Sequence, residues 1–194
     1  MHIFSIFLSC LFLFSYNGSQ APKKISDFTL TNVVDGNSFS LSSQKNTAAV
    51  VVIFTSNNCP YDKLYNQRIE RLIDTYSNKN VSFVLINSND PQRSNVDSPR
   101  QMANKIKELR WNVPYLVDNK RLVASKFGAE KNPEAYVLQH RNNTFQILYS
   151  GSIDDNPQVA SDVSEPYLSQ ALDAILSGKP VLVNETHPTG CMIK

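Results

Sequence analysis

The run Ala48-Ala49-Val50-Val51-Val52-Ile53-Phe54 constrains this chain more than any other segment. Consecutive apolar, mostly β-branched residues with no polar alternation fit a strand covered on both faces, as found inside parallel or mixed α/β sheets. A short linker then leads to Pro60, which opens a helical pattern to Tyr76 with Leu64, Ile69, Leu72, Ile73 and Tyr76 near one face. Proline suits the first helical position because no amide donor is needed there. A buried strand therefore passes into a helix through Thr55-Ser56-Asn57-Asn58-Cys59.

The rest of the chain alternates strand and helix signals. Phe28-Thr29-Leu30 and Phe39-Ser40-Leu41 flank Asp35-Gly36, a hairpin signature. Val81 to Ile86 reads as a second buried strand, and the polar stretch 87–100 with its two prolines as a loop. Met102 to Leu109 predicts a helix, Val113 to Val117 a short strand, and Leu122 to Phe127 a short helix ending at Gly128. Ala135 to Leu138 and Phe145 to Tyr149 form a second hairpin around Asn142-Asn143, and Tyr167 to Leu176 a last helix stopped by Gly178 and Pro180. The tail from Val181 to Lys194 carries few signals of either kind. This order predicts an α/β sandwich: a central mixed β-sheet flanked by helices, with an N-terminal β-hairpin extension. A chain of 194 residues with 41% apolar residues supports one ordinary core. The 19 basic and 17 acidic residues are interspersed, which argues against nucleic-acid binding.

Ile3 to Phe14 is apolar apart from Ser5, Ser9 and Cys10, and no Lys, Arg, Asp or Glu precedes Lys23. The run falls short of the roughly 20 apolar residues that span a bilayer. It fits a signal-peptide core with Ser19-Gln20-Ala21 as the cleavage site. Residues 1–21 are thus expected to be a signal peptide, lost together with Cys10, and the mature chain to be exported to a periplasm or along a secretory pathway to the cell exterior. Only Cys59 and Cys191 then remain. Two thiols in an oxidising compartment often pair, and their low number excludes a disulfide scaffold and a Cys-rich zinc module.

Four stretches carry a family resemblance: Phe54-Thr55-Ser56-Asn57-Asn58-Cys59-Pro60-Tyr61, Ile86-Asn87-Ser88-Asn89-Asp90, Val113-Pro114-Tyr115-Leu116-Val117-Asp118 and Gly151-Ser152-Ile153-Asp154-Asp155. With the tail Gly190-Cys191-Met192-Ile193-Lys194, they make the chain resemble the thioredoxin-like redoxins, in particular the peroxiredoxin-like subgroup of AhpC/TSA type. The resemblance implies a thioredoxin-like fold, with residues 22–180 as the redoxin domain and 181–194 as a tail carrying Cys191. It implies a thiol-dependent oxidoreductase with an antioxidant or redox-homeostatic role. The substrate would be a peroxide or a protein disulfide, a thioredoxin-like donor would return the electrons, and no organic cofactor, metal or membrane span is required.

The residues give Cys59 a physical case of its own. At a helix N-terminus, free amides and the helix dipole favour an anion and lower a thiol pKa. The thiolate is the nucleophile toward a disulfide or a peroxide. By resemblance Cys59 holds the nucleophile position of a CxxC loop, but Asp62 replaces the second cysteine, which excludes a dithiol mechanism within the loop. A charge on Asp62 would oppose part of the helix effect. Ser56 and Pro60 match the spacing of the hydroxyl and the proline that flank a peroxidatic cysteine, although Ser56 serves equally as a hydroxyl capping the helix. No activating arginine is assignable from the sequence; Arg68, one helix face away, is a candidate. Cys191 is either the resolving thiol, half of a static disulfide, or an unpaired thiol; the long separation is no bar, since loop-closure entropy grows slowly with length.

Pro133 follows Asn132 where thioredoxin-like proteins carry a cis-proline facing the nucleophile. The resemblance therefore assigns Pro133 to the catalytic set and Asn132, Pro60 and Tyr61 to substrate positioning. Asp154 and Asp155 read as turn residues, with their membership of a shared motif pointing alternatively to a role near the tail, and Trp111 and Tyr115 read as core or rim aromatics. Two other classes stay open: a copper-binding protein of the same fold, with His140 and His187 as further ligands, and a degenerate redoxin that binds a partner without turnover. Asn-x-Ser/Thr triplets at Asn17, Asn80, Asn142 and Asn184 matter only in a glycosylating host.

Overall fold

The computed structural model describes residues 22–194. The expected signal peptide, with Cys10, lies outside the described residues. In chain order the elements are β1 (Lys24–Ile25), β2 (Thr29–Asn32), β3 (Ser38–Ser40), β4 (Ala49–Phe54), α1 (Pro60–Tyr76), β5 (Val81–Asn87), α2 (Pro99–Leu109) and β6 (Tyr115–Val117). They continue with α3 (Leu122–Phe127), β7 (Lys131–Asn132), β8 (Glu134–Arg141), β9 (Thr144–Gly151), α4 (Tyr167–Leu176) and β10 (Cys191–Met192). The main sheet runs β1-β9-β8-β4-β5-β6-β2-β3, and β10 pairs with β7 in a separate two-stranded piece. Strands β4, β5 and β6 are parallel, while β8 runs antiparallel to β4, so the sheet is mixed.

Every residue of β4 is buried because both faces of the sheet are covered. Ala49, Val51 and Ile53 join one apolar cluster with Ile69 and Leu72 of α1 and Leu168 of α4. Val50, Val52 and Phe54 join the other with Phe28 and Phe127. Helix α1 buries Tyr65, Ile69, Leu72 and Tyr76, together with the polar Asp62 and Arg68. Leu64, expected on that stripe, is 48% exposed. The buried row follows i, i+4, i+7, i+11 from Tyr65, and Leu64 sits one residue, about 100°, away from it.

Helix α2 begins at Pro99 rather than Met102, since proline again takes the first helical position. The β8–β9 hairpin turns on Asn142 and Asn143, at φ 50° and 59°, between paired Arg141 and Thr144. Asparagine tolerates that left-handed pair, which matches the twist of the flanking strands. The N-terminal hairpin continues the sheet, because β2 pairs with β6. In the tail, Glu185 bridges Ser150, and Cys191 and Met192 pair antiparallel with Asn132 and Lys131. A two-residue strand has no periodicity from which sequence could reveal it. No helix among the described residues is long and apolar enough to cross a membrane.

Candidate active site

Cys59 is the N-cap of α1, in extended conformation, with Pro60 at the first helical position. Its sulfur is bonded to that of Cys191, with Cα atoms 5.9 Å apart. Cys59 is 2% exposed, whereas Cys191 is half-buried. The Cys59 sulfur also lies 3.2 Å from the Asn132 carbonyl oxygen, a contact that becomes a hydrogen bond when the sulfur carries a proton. The Asn132–Pro133 peptide is cis. Three segments thus converge on one sulfur: the β4–α1 turn, strand β7 and the tail. Beyond Cys191, Ile193 N–H donates to Glu130 O at 2.9 Å. Lys194 N–H donates to Asn89 Oδ1 at 2.8 Å, and Asp90 N–H donates to Lys194 O at 2.8 Å.

The loop before Cys59 is held from α2's side of the molecule. Ser56 Oγ donates to Asp97 at 3.0 Å and accepts from Asn58 N–H at 3.0 Å. It does not cap α1, which has no side-chain cap hydrogen bond. Asp97 also accepts from Asn57 N–H, Asn87 Nδ2 and Asn89 Nδ2 at 2.7, 2.8 and 3.1 Å. Burial pushes the Asp97 carboxyl up, but bonds from Asn87, Asn57 and Asn89 outweigh it and hold the group below the usual range. Tyr115 is core, with its hydroxyl donating to Asn57 Oδ1 at 3.1 Å. The motif residues Asn87 and Asn89 were legible in the sequence. Asp97 was not, because an acid in a polar loop carries no mark of burial.

Asp62, in the place of a second CxxC cysteine, folds back under the loop. It is 1% exposed and accepts from Thr55 Oγ1 at 2.5 Å and Ser56 N–H at 3.0 Å. Burial raises its carboxyl to about 7, against the opposing effects of Lys105 and those two bonds. It is therefore not the fixed negative charge expected from sequence; near neutral pH a large share is uncharged. Burial likewise lowers Lys105, opposed by Asp62 and Asp97. Because the folded pKa lies above the unfolded value, the stability Asp62 contributes is complete below about 4 and is lost as pH rises through about 7. Asp62→Asn keeps the neutral form at every pH. It should match the wild type at pH 4 and exceed it at pH 8 by on the order of a few kcal/mol in urea unfolding. An offset that does not vary with pH would contradict the assignment.

Arg68 does not serve Cys59. Its guanidinium donates to both Asp154 oxygens, at 2.9 and 2.8 Å, and to Asn156 O at 2.6 Å. It stacks on the Tyr65 ring at 3.7 Å, and Tyr65 Oη donates to Asp154 at 2.8 Å. Burial first, then the Asp154 charge, raise the Tyr65 phenol, so it remains a donor. The α1 register places Arg68 on the inward stripe, and Asp154 is its core partner rather than a simple turn residue. Pro133 borders a cavity of about 200 Å³ lined also by Tyr65, Ile153, Asp154, Thr186 and Pro188. Pro60 is exposed and Tyr61 half-buried, on the rim beside Cys59. His140 lies on β8 against the Phe145 ring, and His187 lines the cavity beside Pro133. Both sulfurs that a copper site would use are joined to one another. Among the described residues no cluster of three or more His, Cys, Asp or Glu side chains could hold a metal.

A mixed sheet with a cysteine capping its first long helix and a cis-proline strand beside that sulfur defines a redoxin of thioredoxin-like fold. The AhpC/TSA family pattern matches residues 19–155, and the chain belongs to that family. It is 37% identical to a conserved protein of Geobacillus kaustophilus across 90% of this chain and 91% of that one, with a TM-score of 0.82. It is 30% identical to a hypothetical protein of Sinorhizobium meliloti 1021 across 92% of this chain and 96% of that one, also at 0.82. Peroxidoxin BcpB of Mycobacterium tuberculosis shares the fold, at 18% identity over 81% of this chain and 94% of that one, with a TM-score of 0.55. No curated protein sequence matches the chain. Family and fold together define the broad class, thiol-disulfide oxidoreductases and peroxiredoxin-like proteins.

Proposed function

We propose that this protein is an exported thiol-disulfide oxidoreductase in which Cys59 is the nucleophile and Cys191 the resolving thiol. The observation that carries the reading is the bond between the helix-capping Cys59 and Cys191 on the two-residue strand β10. In the reduced protein, the Cys59 thiolate attacks one sulfur of a substrate disulfide, and the other sulfur leaves as a thiolate and takes up a proton. Cys191 thiolate then attacks the Cys59 sulfur, forming the observed bond and expelling the substrate's remaining cysteine. An outside dithiol of thioredoxin-like type restores the enzyme. It attacks Cys191, since Cys59 is 2% exposed, and Cys59 departs as a thiolate favoured by the α1 terminus.

A peroxide is the second oxidant: Cys59 thiolate takes its terminal oxygen as sulfenic acid, the alkoxide leaves with a proton, and Cys191 expels water. The disulfide substrate is favoured because the Ser56 hydroxyl and the Arg68 guanidinium are engaged by Asp97 and Asp154, whereas a peptide strand already lies on β7. Asn132 and Pro133 seat that strand, and Pro60 and Tyr61 form the rim a partner meets. Residues 1–21 as a signal peptide, residues 22–180 as the redoxin domain and 181–194 as its tail complete the reading, and a disulfide is at home in an oxidising compartment.

Non-reducing peptide mass mapping of the reduced protein, before and after one equivalent of a peptide disulfide or of hydrogen peroxide, tests this. A Cys59–Cys191 link that forms on oxidation and disappears with dithiothreitol is the expected result. A Cys59 that neither oxidant changes while the fold is intact would overturn it and favour a partner-binding module without turnover.

A further inference from the structure

The tail lies on β7 as a foreign strand would, and one of its residues has no latitude. A Cβ on Gly190 would overlap the carbonyl oxygen and carbon of Asn132 and meet Pro133 N at 3.3 Å. These are main-chain atoms of Asn132, which pairs with Cys191, and of the proline that follows it, so no side-chain rotation can clear the space. Beyond the cysteine, the tail alternates: Cys191 and Ile193 are turned inward, while Met192 and Lys194 are exposed. Ile193 packs against the apolar cluster that contains Phe127 and Phe145. The tail's other bonds use its main chain, which any sequence supplies: Ile193 N–H to Glu130 O, Asp90 N–H to Lys194 O, and Lys194 N–H to the Asn89 side chain. Edge pairing of this kind supplies affinity through the backbone and selectivity through alternate side chains.

We propose that this edge is a specificity site. With the tail withdrawn, it admits protein disulfides whose attacked cysteine is preceded by glycine and followed two residues later by an aliphatic residue. The inference rests on reading Cys59 as the nucleophile. A segment bearing a side chain before its cysteine meets the same Asn132 carbonyl that excludes a Cβ from Gly190. That exclusion discriminates by repulsion, as specific sites commonly do. An aliphatic residue two places on fills the room Ile193 occupies, and the residue between them faces solvent and is unrestricted. In the reaction the substrate S–S bond breaks as the Cys59–cysteine bond forms. Cys191 thiolate then replaces the segment on Cys59, so the substrate gains the two electrons that the Cys59/Cys191 pair loses.

The test uses the reduced full chain carrying Cys191→Ser, so that Cys59 mixed disulfides accumulate. It is offered disulfide-linked dimers of the peptide Thr-Gly-Cys-Met-Ile-Lys, of its alanine-for-glycine form and of its serine-for-isoleucine form. Intact-mass kinetics give each rate, divided by that peptide's rate with free cysteine to remove intrinsic reactivity. The resident tail competes equally with all three peptides. The alanine peptide should react roughly tenfold more slowly or worse, and the serine peptide several-fold more slowly. In the otherwise native chain, Gly190→Ala should slow closure of the Cys59–Cys191 bond by a similar factor and leave alkylation of Cys59 unchanged. Rates for the glycine and alanine peptides within about twofold would overturn the inference. If Cys59 still reacts with peroxide in that case, the proposed function stands and only the selectivity falls. If Cys59 reacts with neither peptide nor peroxide, both fall together.

Discussion

Cys59→Ser is expected to remove turnover altogether, by on the order of 10³-fold or more, while Cys191→Ser keeps the first covalent step and loses the cycle. The asymmetry follows from position. Cys59 caps α1, where a thiolate is stabilised and its departure as a leaving group is favoured. Cys191 sits in a strand with no helix terminus to assist it, and its role depends on meeting Cys59. Cys191→Ser should therefore yield one equivalent of mixed disulfide or sulfenic acid at Cys59 and then stop until an outside thiol resolves it. Stability separates chemistry from structure. The bond joins residues 132 apart in sequence, and both variants lose it, for a cost of about 2–5 kcal/mol on chain-entropy grounds. Urea unfolding should thus show equal losses in the two variants, whereas a single-turnover assay with labelled peptide disulfide shows reaction in only one. Equal, unimpaired turnover in both would mean that the disulfide is a static tie.

The limits of α1, α3 and α4 coincide with those read from sequence, and Cys59 and Cys191 are joined beside Asn132, the residue before the cis Pro133. These were legible because each carries a local signature: an unbroken apolar strand, a proline at a helix start, a glycine past a helix end, or a residue type at a family position. What escaped were buried polar side chains. Asp62, Asp97, Arg68 and Asp154 look like surface charges in one dimension, since their burial depends on partners far along the chain. Asp97 reaches Ser56 across a separation of 41 residues, and Arg68 reaches Asp154 across 86. Strand β10 escaped for a related reason. Its pairing with β7 accompanies the Cys59 bond and Gly190's close fit against Asn132, neither of which is periodic. Asp62 shows the consequence for chemistry. Read as a charge, it opposes the thiolate; read as a buried group raised to about 7, it is a carboxyl whose charge varies across the neutral range.

Asp154→Ala should cost about 3–5 kcal/mol of stability, because it leaves the Arg68 charge buried and unpaired. Arg68 is 9% exposed, and Asp154 is its only ion-pair partner among the described residues. The Tyr65 hydroxyl loses its acceptor at the same time. The thermal midpoint should fall by roughly 10 °C. Removing both charges together, as Arg68→Leu with Asp154→Leu, should recover much of the loss, since an apolar pair of similar volume leaves no charge uncompensated. A pair whose single and double variants lose the same amount would instead be acting through shape alone. The single variant should also reach the active site. Asp154 anchors the segment after β9, in which Ser152 N–H donates to Thr186 Oγ1 at 2.8 Å and Ser152 Oγ to His187 O at 3.1 Å. Those bonds seat the tail just before Gly190 and Cys191. Asp154→Ala should therefore slow closure of the Cys59–Cys191 bond several-fold at a temperature where the protein is still folded, with Cys59 alkylation unaltered. Closure at the wild-type rate would confine the ion pair to the core and leave the tail's position to β7 alone.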